Sequence, residues 1–316
     1  MQDPPSVAAK KQEHAAGHNG PAKHDLAVLG PPKTYSDLAA MTRLAGGYEH
    51  SKIYYASSIR EVFQLVEKGA AKTGLVPLEN LINGSVRETY DALFEENVHI
   101  QEKFSIPVNH ALVALQGVTA KDIDTVSSHP QALEQCAGWL GKKFPRVHIN
   151  PTPSTIAAYE KMRGENDRHT AVIIPQKIAQ SQNCNILATE IGDIPNNSTS
   201  FIIIKKGKPS LKKRITAPSG TQIQPETSIA FHFQKDRPGS LLKIFRDISD
   251  AGLNMTKIES RPSKKDPGNY IFFLSFEGES GNPAVKKVLK KIEKKVAVLK
   301  LLGSYNIGPA QVRQTG

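Results

Sequence analysis

Glu79 and Asn80 follow the apolar run Leu75-Val76-Pro77-Leu78 and precede the breaker Asn83-Gly84. A carboxylate and an amide at the end of a buried strand stand where open α/β sheets hold ligands. Ser85 is the expected N-cap of a helix carrying Val86, Tyr90, Leu93 and Phe94. A helix start of this kind offers N–H groups and a positive dipole end to an anion. An ordinary strand-to-helix turn has the same outline. Comparable hydroxyl- and amide-rich loops recur at Thr34-Tyr35-Ser36, Ser128-His129-Pro130-Gln131, Pro153-Ser154-Thr155 and Asn196-Asn197-Ser198-Thr199-Ser200. If these loops converge, they form a cradle for carboxylate or phosphate that needs no metal. Lys33, His129 and Lys177 supply charge nearby, although His129 also reads as a packed turn residue. No loop matches GxxxxGK[ST] or GxGxxG, which disfavours nucleotides.

The elements that must position these residues alternate between strand and helix from Asp25 to about Lys206. Leu26–Leu29, His110–Leu115, Thr125–Ser127, Thr170–Ile174 and Phe201–Ile204 read as strands. Apolar helical faces lie between them, as at Leu133, Cys136, Ala137 and Leu140. The order predicts α/β layers with mostly parallel strands. Gly207, Pro209, Pro218-Ser219-Gly220 and Pro225 mark residues 207–226 as a linker. A βαββαβ order follows within about 80 residues, a ferredoxin-like unit. Its first helix starts at Arg237-Pro238-Gly239-Ser240, and its second is the basic helix after Asn282-Pro283.

With 316 residues, 39% apolar and 22% charged, the chain can bury a sizeable core in two or three domains. No apolar run approaches the roughly 18 residues of a membrane span, so no membrane partner is expected. Residues 1–24 lack an apolar segment and read as a disordered tail rather than a secretory signal, with His14 and His18 in it solvated. Residues 307–316 read as a second tail. Cys136 and Cys184 make neither a disulfide framework nor a metal motif, which points to the cytoplasm. The net charge of +11 is concentrated in Lys205–Arg214 and Lys286–Lys300. The second run lies on the polar face of a helix whose apolar face is Val285, Val288, Leu289, Ile292 and Val296, so a solvated face accounts for it. Basic residues interleaved with aromatics are missing, and nucleic acid is not an expected partner. A positive field would speed capture of a small anion.

Three segments now fall in order: Pro77–Val86, Ser128–Cys136 and Asn197–Phe201. Together they resemble prephenate dehydratase. The C-terminal unit resembles the ACT regulatory domain of that family. Its two phenylalanine-binding motifs are matched by Arg237, Pro238, Gly239, Ser240 and Leu241, and by Glu259, Ser260, Arg261 and Pro262. The resemblance implies a two-lobed catalytic region over 25–206, similar to periplasmic binding proteins, and an ACT domain over 227–306. It implies conversion of prephenate to phenylpyruvate with loss of water and carbon dioxide, without metal or organic cofactor. L-phenylalanine would be the regulator, in a homodimer or homotetramer.

Prephenate carries two carboxylates and a ring hydroxyl that leaves poorly without a donated proton or strong hydrogen bond. Thr199 matches the family's essential threonine and is the expected donor. Asn80, Ser128 and Gln135 match positions that contact or orient substrate. Thr34, Ser85, Ser154 and Thr155 are expected carboxylate contacts from similar loops. Glu79 has two readings, an aid to acid catalysis or a link between site and regulation, beside a purely structural role. Gly239 would let backbone approach phenylalanine.

Two departures stand out. The family usually reads Thr-Arg-Phe where this chain has Thr199-Ser200-Phe201, and a glycine where Lys33 precedes Thr34-Tyr35. Serine cannot replace arginine's fixed, charged fork. One expectation is that Lys33 restores the charge across the cleft. The alternatives are a catalytically weak phenylalanine sensor, an arogenate dehydratase, or a prephenate decarboxylase.

Overall fold

Continuous apolar runs make strands buried on both faces, and helices must then cover those faces. The computed structural model describes residues 24–44, 52–210, 224–264 and 268–309. In the first lobe, β1 (His24–Leu29), α1 (Tyr35–Leu44), β2 (Ile53–Ala56), α2 (Ile59–Glu67) and β3 (Ala71–Asn80) are followed by β4 (Gly84–Ser85), α3 (Arg87–Glu95) and β5 (Val98–Pro107). The chain then crosses to a second lobe of β6 (His110–Ala114), β7 (Thr125–Ser128), α4 (Pro130–Gln135), α5 (Ala137–Lys143), β8 (His148–Pro151), α6 (Thr155–Gly164), β9 (Thr170–Pro175), α7 (Gln176–Ser181) and β10 (Asn185–Thr189). It returns as β11 (Ser198–Lys206), inserted between β3 and β5. The C-terminal domain is β12 (Gln224–His232), α8 (Ser240–Ser249), β13 (Met255–Pro262), β14 (Tyr270–Glu277), α9 (Pro283–Glu293) and β15 (Val298–Pro309), the ferredoxin-like order expected.

The expectation of mostly parallel strands is corrected. β1 pairs in parallel with β2 and β3, but β11 is antiparallel to both its neighbours. A strand that comes back from the other lobe enters the sheet from the opposite end. The second lobe is likewise mixed, in the order β10-β6-β9-β7-β8.

The C-terminal domain does not hang on a tether. Ile307, Gly308 and Pro309 of β15 pair in parallel with Lys103, Phe104 and Ser105 of β5. One ten-stranded sheet therefore runs through the first lobe and the C-terminal domain. Residues 307–309, expected as tail, are strand for this reason; residues 224–226, expected as linker, are strand through pairing with β15, and His24 through pairing with Ala71 of β3. The rest of the expected tails, 1–23 and 310–316, and linker residues 211–223 lie outside the described residues. The two domains also share a core in which Val76, Tyr90 and Leu93 pack with Ala230, Phe273, Leu302 and Tyr305. Burying one such large side chain contributes about 1.5–3 kcal/mol. The other face of the first lobe packs Leu26, Val28 and Leu75 against Ala39 and Ala40 of α1. No helix among the described residues is long and apolar enough to cross a membrane.

Gly303 makes the seam possible. A Cβ there would lie 2.4 Å from the carbonyl oxygen of Ile100 in β5. Gly303→Ala is expected to cost about 1–3 kcal/mol by overpacking, read from urea unfolding. Gly141→Ala, in α5 with open space around it, should instead hold or raise stability by up to about 1 kcal/mol.

Candidate active site

An amide has two different ends, and hydrogen bonding decides which faces where. The Asn80 carbonyl oxygen accepts the backbone N–H groups of Ile82 (3.1 Å) and Asn83 (3.0 Å). Its NH2 must then point the other way, and it does so toward Thr199 Oγ1 (2.9 Å), Asn197 Oδ1 (3.1 Å) and the Ser198 carbonyl (3.2 Å). Asn80 is 8% exposed, so this arrangement is held away from water. Thr199 Oγ1 accepts a hydrogen bond from Asn80 and keeps its own O–H to give. Thr199 and Asn80 are direct cross-strand partners, as are Thr199 and Ile106 on the other side.

The second lobe meets this cluster through Gln135, at the end of α4. Its Nε2 donates to Asn83 Oδ1 (2.9 Å), and its Oε1 faces His110 Nε2 (2.9 Å). His110 is 3% exposed, and burial lowers its pKa while the bond to Gln135 opposes the shift. A neutral ring with Nε2–H donating to Gln135 fits that environment. Tyr35 stacks edge-on to His110 and donates its hydroxyl to the Asn109 carbonyl (2.7 Å). A cavity of about 170 Å³ lies between the lobes, walled by Tyr35, Leu38, Ile106, Asn109, Pro175 and Lys177. Burial pushes the neighbouring Cys136 thiol up to about 12, which removes it as a nucleophile.

Of the residues singled out in the sequence, Asn80, Thr199 and Gln135 come together. Ser128 is fully buried and donates to the Ile173 carbonyl (2.7 Å), a bond that ties β7 to β9. Ser154 is the N-cap of α6 and accepts from Ala157 N–H (3.0 Å), with Thr155 the first residue of that helix. Thr34 donates to the Pro31 carbonyl (3.0 Å). His129 caps α4, with Nδ1 accepting from Gln131 N–H (3.3 Å). Ser85 is not the N-cap of α3. Val86 holds that place, and Ser85 pairs with Glu79 in β4 while donating to Glu259 of the C-terminal domain (2.9 Å). Glu79 also points away from Thr199, to Lys257 Nζ at 2.7 Å. Neighbouring residues of a strand face opposite sides of its sheet, so Asn80 and Glu79 separate. His110, Asn83 and Asn197 were missed as site residues. Sequence showed them only as a strand start and two turn residues, and their roles arise from pairing across the lobes.

Residues 26–209 match the family model for prephenate dehydratase, and residues 227–294 match the ACT domain. The chain belongs to the prephenate dehydratase family. It is 37% identical to a bifunctional chorismate mutase/prephenate dehydratase of Aquifex aeolicus, covering 90% of this chain and 74% of that protein. It is 34% identical to the prephenate dehydratase of Methanocaldococcus jannaschii, over 88% of this chain and 96% of the relative. A crystal structure of prephenate dehydratase in complex with L-Phe from Arthrobacter aurescens superposes with a TM-score of 0.78 at 28% identity, covering 89% of each chain.

The two departures from the family pattern have separate places. Lys33 has φ +64°, the left-handed region in which glycine alone is unstrained, which explains glycine's use there. Its Nζ reaches Gln182 Oε1 at 3.4 Å, across the lobe junction. Ser200 bonds Ser105 (2.9 Å) and pairs with Glu79, on the sheet face opposite Thr199. The residues matched to phenylalanine binding also divide. Gly239 has φ +83° as N-cap of α8, and Arg237 N–H donates to Ser240 Oγ (3.1 Å), with Leu241 against the domain core. On β13, Ser260 and Pro262 are exposed, while Glu259 and Arg261 alternate with them and turn to the first lobe, Arg261 pairing with Asp91 (2.7 Å).

Lys33→Gly is expected to raise unfolding free energy by up to about 1 kcal/mol in urea, relief of left-handed strain outweighing the extra chain entropy. Its effect should add to that of Ser200→Arg within about 0.5 kcal/mol, since the two share no partner. His110 is held neutral in the fold, so the unfolded chain binds its proton first. Stability should therefore fall as pH drops through 6.5, and fall less steeply in His110→Gln, followed by thermal unfolding between pH 7 and 5.

Proposed function

We propose that the chain converts prephenate to phenylpyruvate in L-phenylalanine biosynthesis and that L-phenylalanine regulates it. The observation that carries the chemistry is the clamped Asn80 amide, which leaves the Thr199 O–H free to donate. Thr199 hydrogen-bonds the ring hydroxyl of prephenate. The C–O bond breaks with its electron pair on oxygen, which takes up one proton and leaves as water. The ring carboxylate departs as carbon dioxide, and its C–C electrons complete the aromatic ring. A threonine hydroxyl is a weak acid, so its part is to stabilise the departing oxygen and relay a proton.

Asn80 and Gln135, their amides bonded within the site, orient the groups that meet substrate, with Ser154 and Thr155 at the α6 N-terminus suited to a carboxylate. Lys33, whose ammonium group reaches the neutral Gln182 side chain, offers positive charge at the lobe junction. The hydroxyl protons of Thr34, Ser85 and Ser128 are engaged within the fold, so these three support the loops rather than the substrate. No cofactor is needed for this sequence of steps. Regulation is supported by the ACT match and by the L-Phe in the Arthrobacter relative. The Gly239 turn and the exposed Ser260 and Pro262 are the elements offered to phenylalanine. The free edge of β13, with Ile258 half exposed, suits assembly into a homodimer or homotetramer. Two buried free cysteines suit the cytoplasm.

Ser200 keeps a second reading open, a phenylalanine sensor with little turnover. Purified protein should release phenylpyruvate from prephenate, more slowly with L-phenylalanine present. Thr199→Ala should lose about 10²–10³-fold in kcat. Phenylalanine binding without phenylpyruvate release would establish the sensor, and faster turnover of arogenate would reassign the substrate. Gly239→Ala should weaken phenylalanine binding in calorimetry while leaving uninhibited turnover intact, because the left-handed turn it strains lies outside the cleft.

A further inference from the structure

The C-terminal domain reaches into the first lobe with one ammonium group. Lys257, on β13, places Nζ 2.7 Å from Glu79 Oε1 and 3.0 Å from Ser85 Oγ. The group also lies 5.7 Å from the centre of the Tyr90 ring. Both partners are sheltered, with 18% of the Lys257 side chain and 34% of the Glu79 side chain exposed. Among the described residues Lys257 is the one cation ion-paired with Glu79. Ser85 in turn donates to Glu259 two residues along β13, and its backbone pairs with Glu79. Two side chains of one strand thus hold the same short hairpin, β3–β4.

What that hairpin carries gives the contact meaning. Pairing between β3 and β11 runs Pro77 with Phe201, Glu79 with Ser200 and Asn80 with Thr199, so one residue, Leu78, bulges out. A bulge leaves the strand locally less constrained and re-aims the residues beyond it. Glu79 is the first residue past the bulge, and Asn80, the next, is the amide that orients Thr199. The two point to opposite sides, Glu79 to Lys257 and Asn80 to the cleft.

We propose that Lys257 is a positioning residue for catalysis: by holding Glu79 on the rear face of β3 it fixes Asn80, and hence the Thr199 hydroxyl, on the front. The proposal rests on the dehydratase reading for its kinetic readout. It makes the site incomplete without the C-terminal domain, and it turns any movement of β13 into a movement of Asn80.

The test uses the full chain. Lys257→Met should lower kcat by about 10- to 100-fold, the scale of a small misplacement, with KM little changed. Lys257→Arg should retain most activity. Ser200→Arg should restore kcat to Lys257→Met, because a guanidinium at 200 stands cross-strand to Glu79. Lys264→Met, which removes a neighbouring ion pair to Asp91 in the same domain seam, should leave kcat unchanged. Backbone amides of Ile82 and Asn83, which donate to Asn80, should exchange faster with deuterium in Lys257→Met. Wild-type kcat in Lys257→Met would overturn the proposal, as would a loss shared by Lys264→Met and not restored by Ser200→Arg. If the wild-type chain turns over no prephenate, the dehydratase reading fails by itself. Amide exchange then decides the positioning role, unchanged exchange at Ile82 and Asn83 overturning it.

Discussion

The pairing of β15 with β5 is the constraint on which the arrangement of the domains depends. Backbone hydrogen bonds leave little freedom of distance or angle, and they carry the sheet of the C-terminal domain directly into that of the first lobe. Side chains reinforce the join in ways that require close contact. Glu226, almost wholly buried, is satisfied by Lys103, Thr256 and Tyr305. Lys300 donates to the carbonyls of Leu93 and Phe94 near the end of α3, where cations suit a helix C-terminus, although burial lowers its pKa to about 8. Removing one member of such a buried set would leave a charge without a partner, which is far costlier than the net gain from forming it.

The sheet separates two kinds of chemistry by the period of its strands. On the cleft side of β3 and β11, the groups around Asn80 and Thr199 are neutral amides and hydroxyls in fixed orientations. On the other side, Glu79, Ser85, Lys257 and Glu259 form a charged chain. A neutral, oriented site changes little as substrate charge rearranges, and its dipoles need no reorganisation during the reaction. The charged chain is kept one residue away, where it influences position without competing for the substrate's anions.

Much of this was legible in the sequence. Apolar runs marked β1, β6, β9 and β11, and Asn282-Pro283 marked the start of α9. Asn80, Gln135 and Thr199 could be named from local motifs because their segments are themselves distinctive. The failures have a common physical origin. Ser85 looks like an N-cap until a strand from another domain supplies its partner, and a choice among the readings of Glu79 waits on the bulge at Leu78, which sets its direction. His110 becomes a site residue only through a glutamine 25 residues away. The left-handed backbone of Lys33, invisible in composition, accounts for the family's glycine at that place but not for the lysine here. The antiparallel entry of β11 and the docking of β15 follow from long-range pairing, which local periodicity does not encode.

The lobes are bridged near the site by Gln135 and Asn83, two uncharged amides joined by a single hydrogen bond. Such a bond contributes about 0.5–1.5 kcal/mol net and involves no separation of charge when it breaks. The strength of this bridge therefore depends little on ionic strength, and the Lys33 contact across the junction also ends on a neutral amide. The domain seam, closed by Lys257, Arg261 and Lys264 on carboxylates, answers to ionic strength instead. Breathing of the cleft and grip of the regulatory domain are thus set by different variables of the surrounding solution.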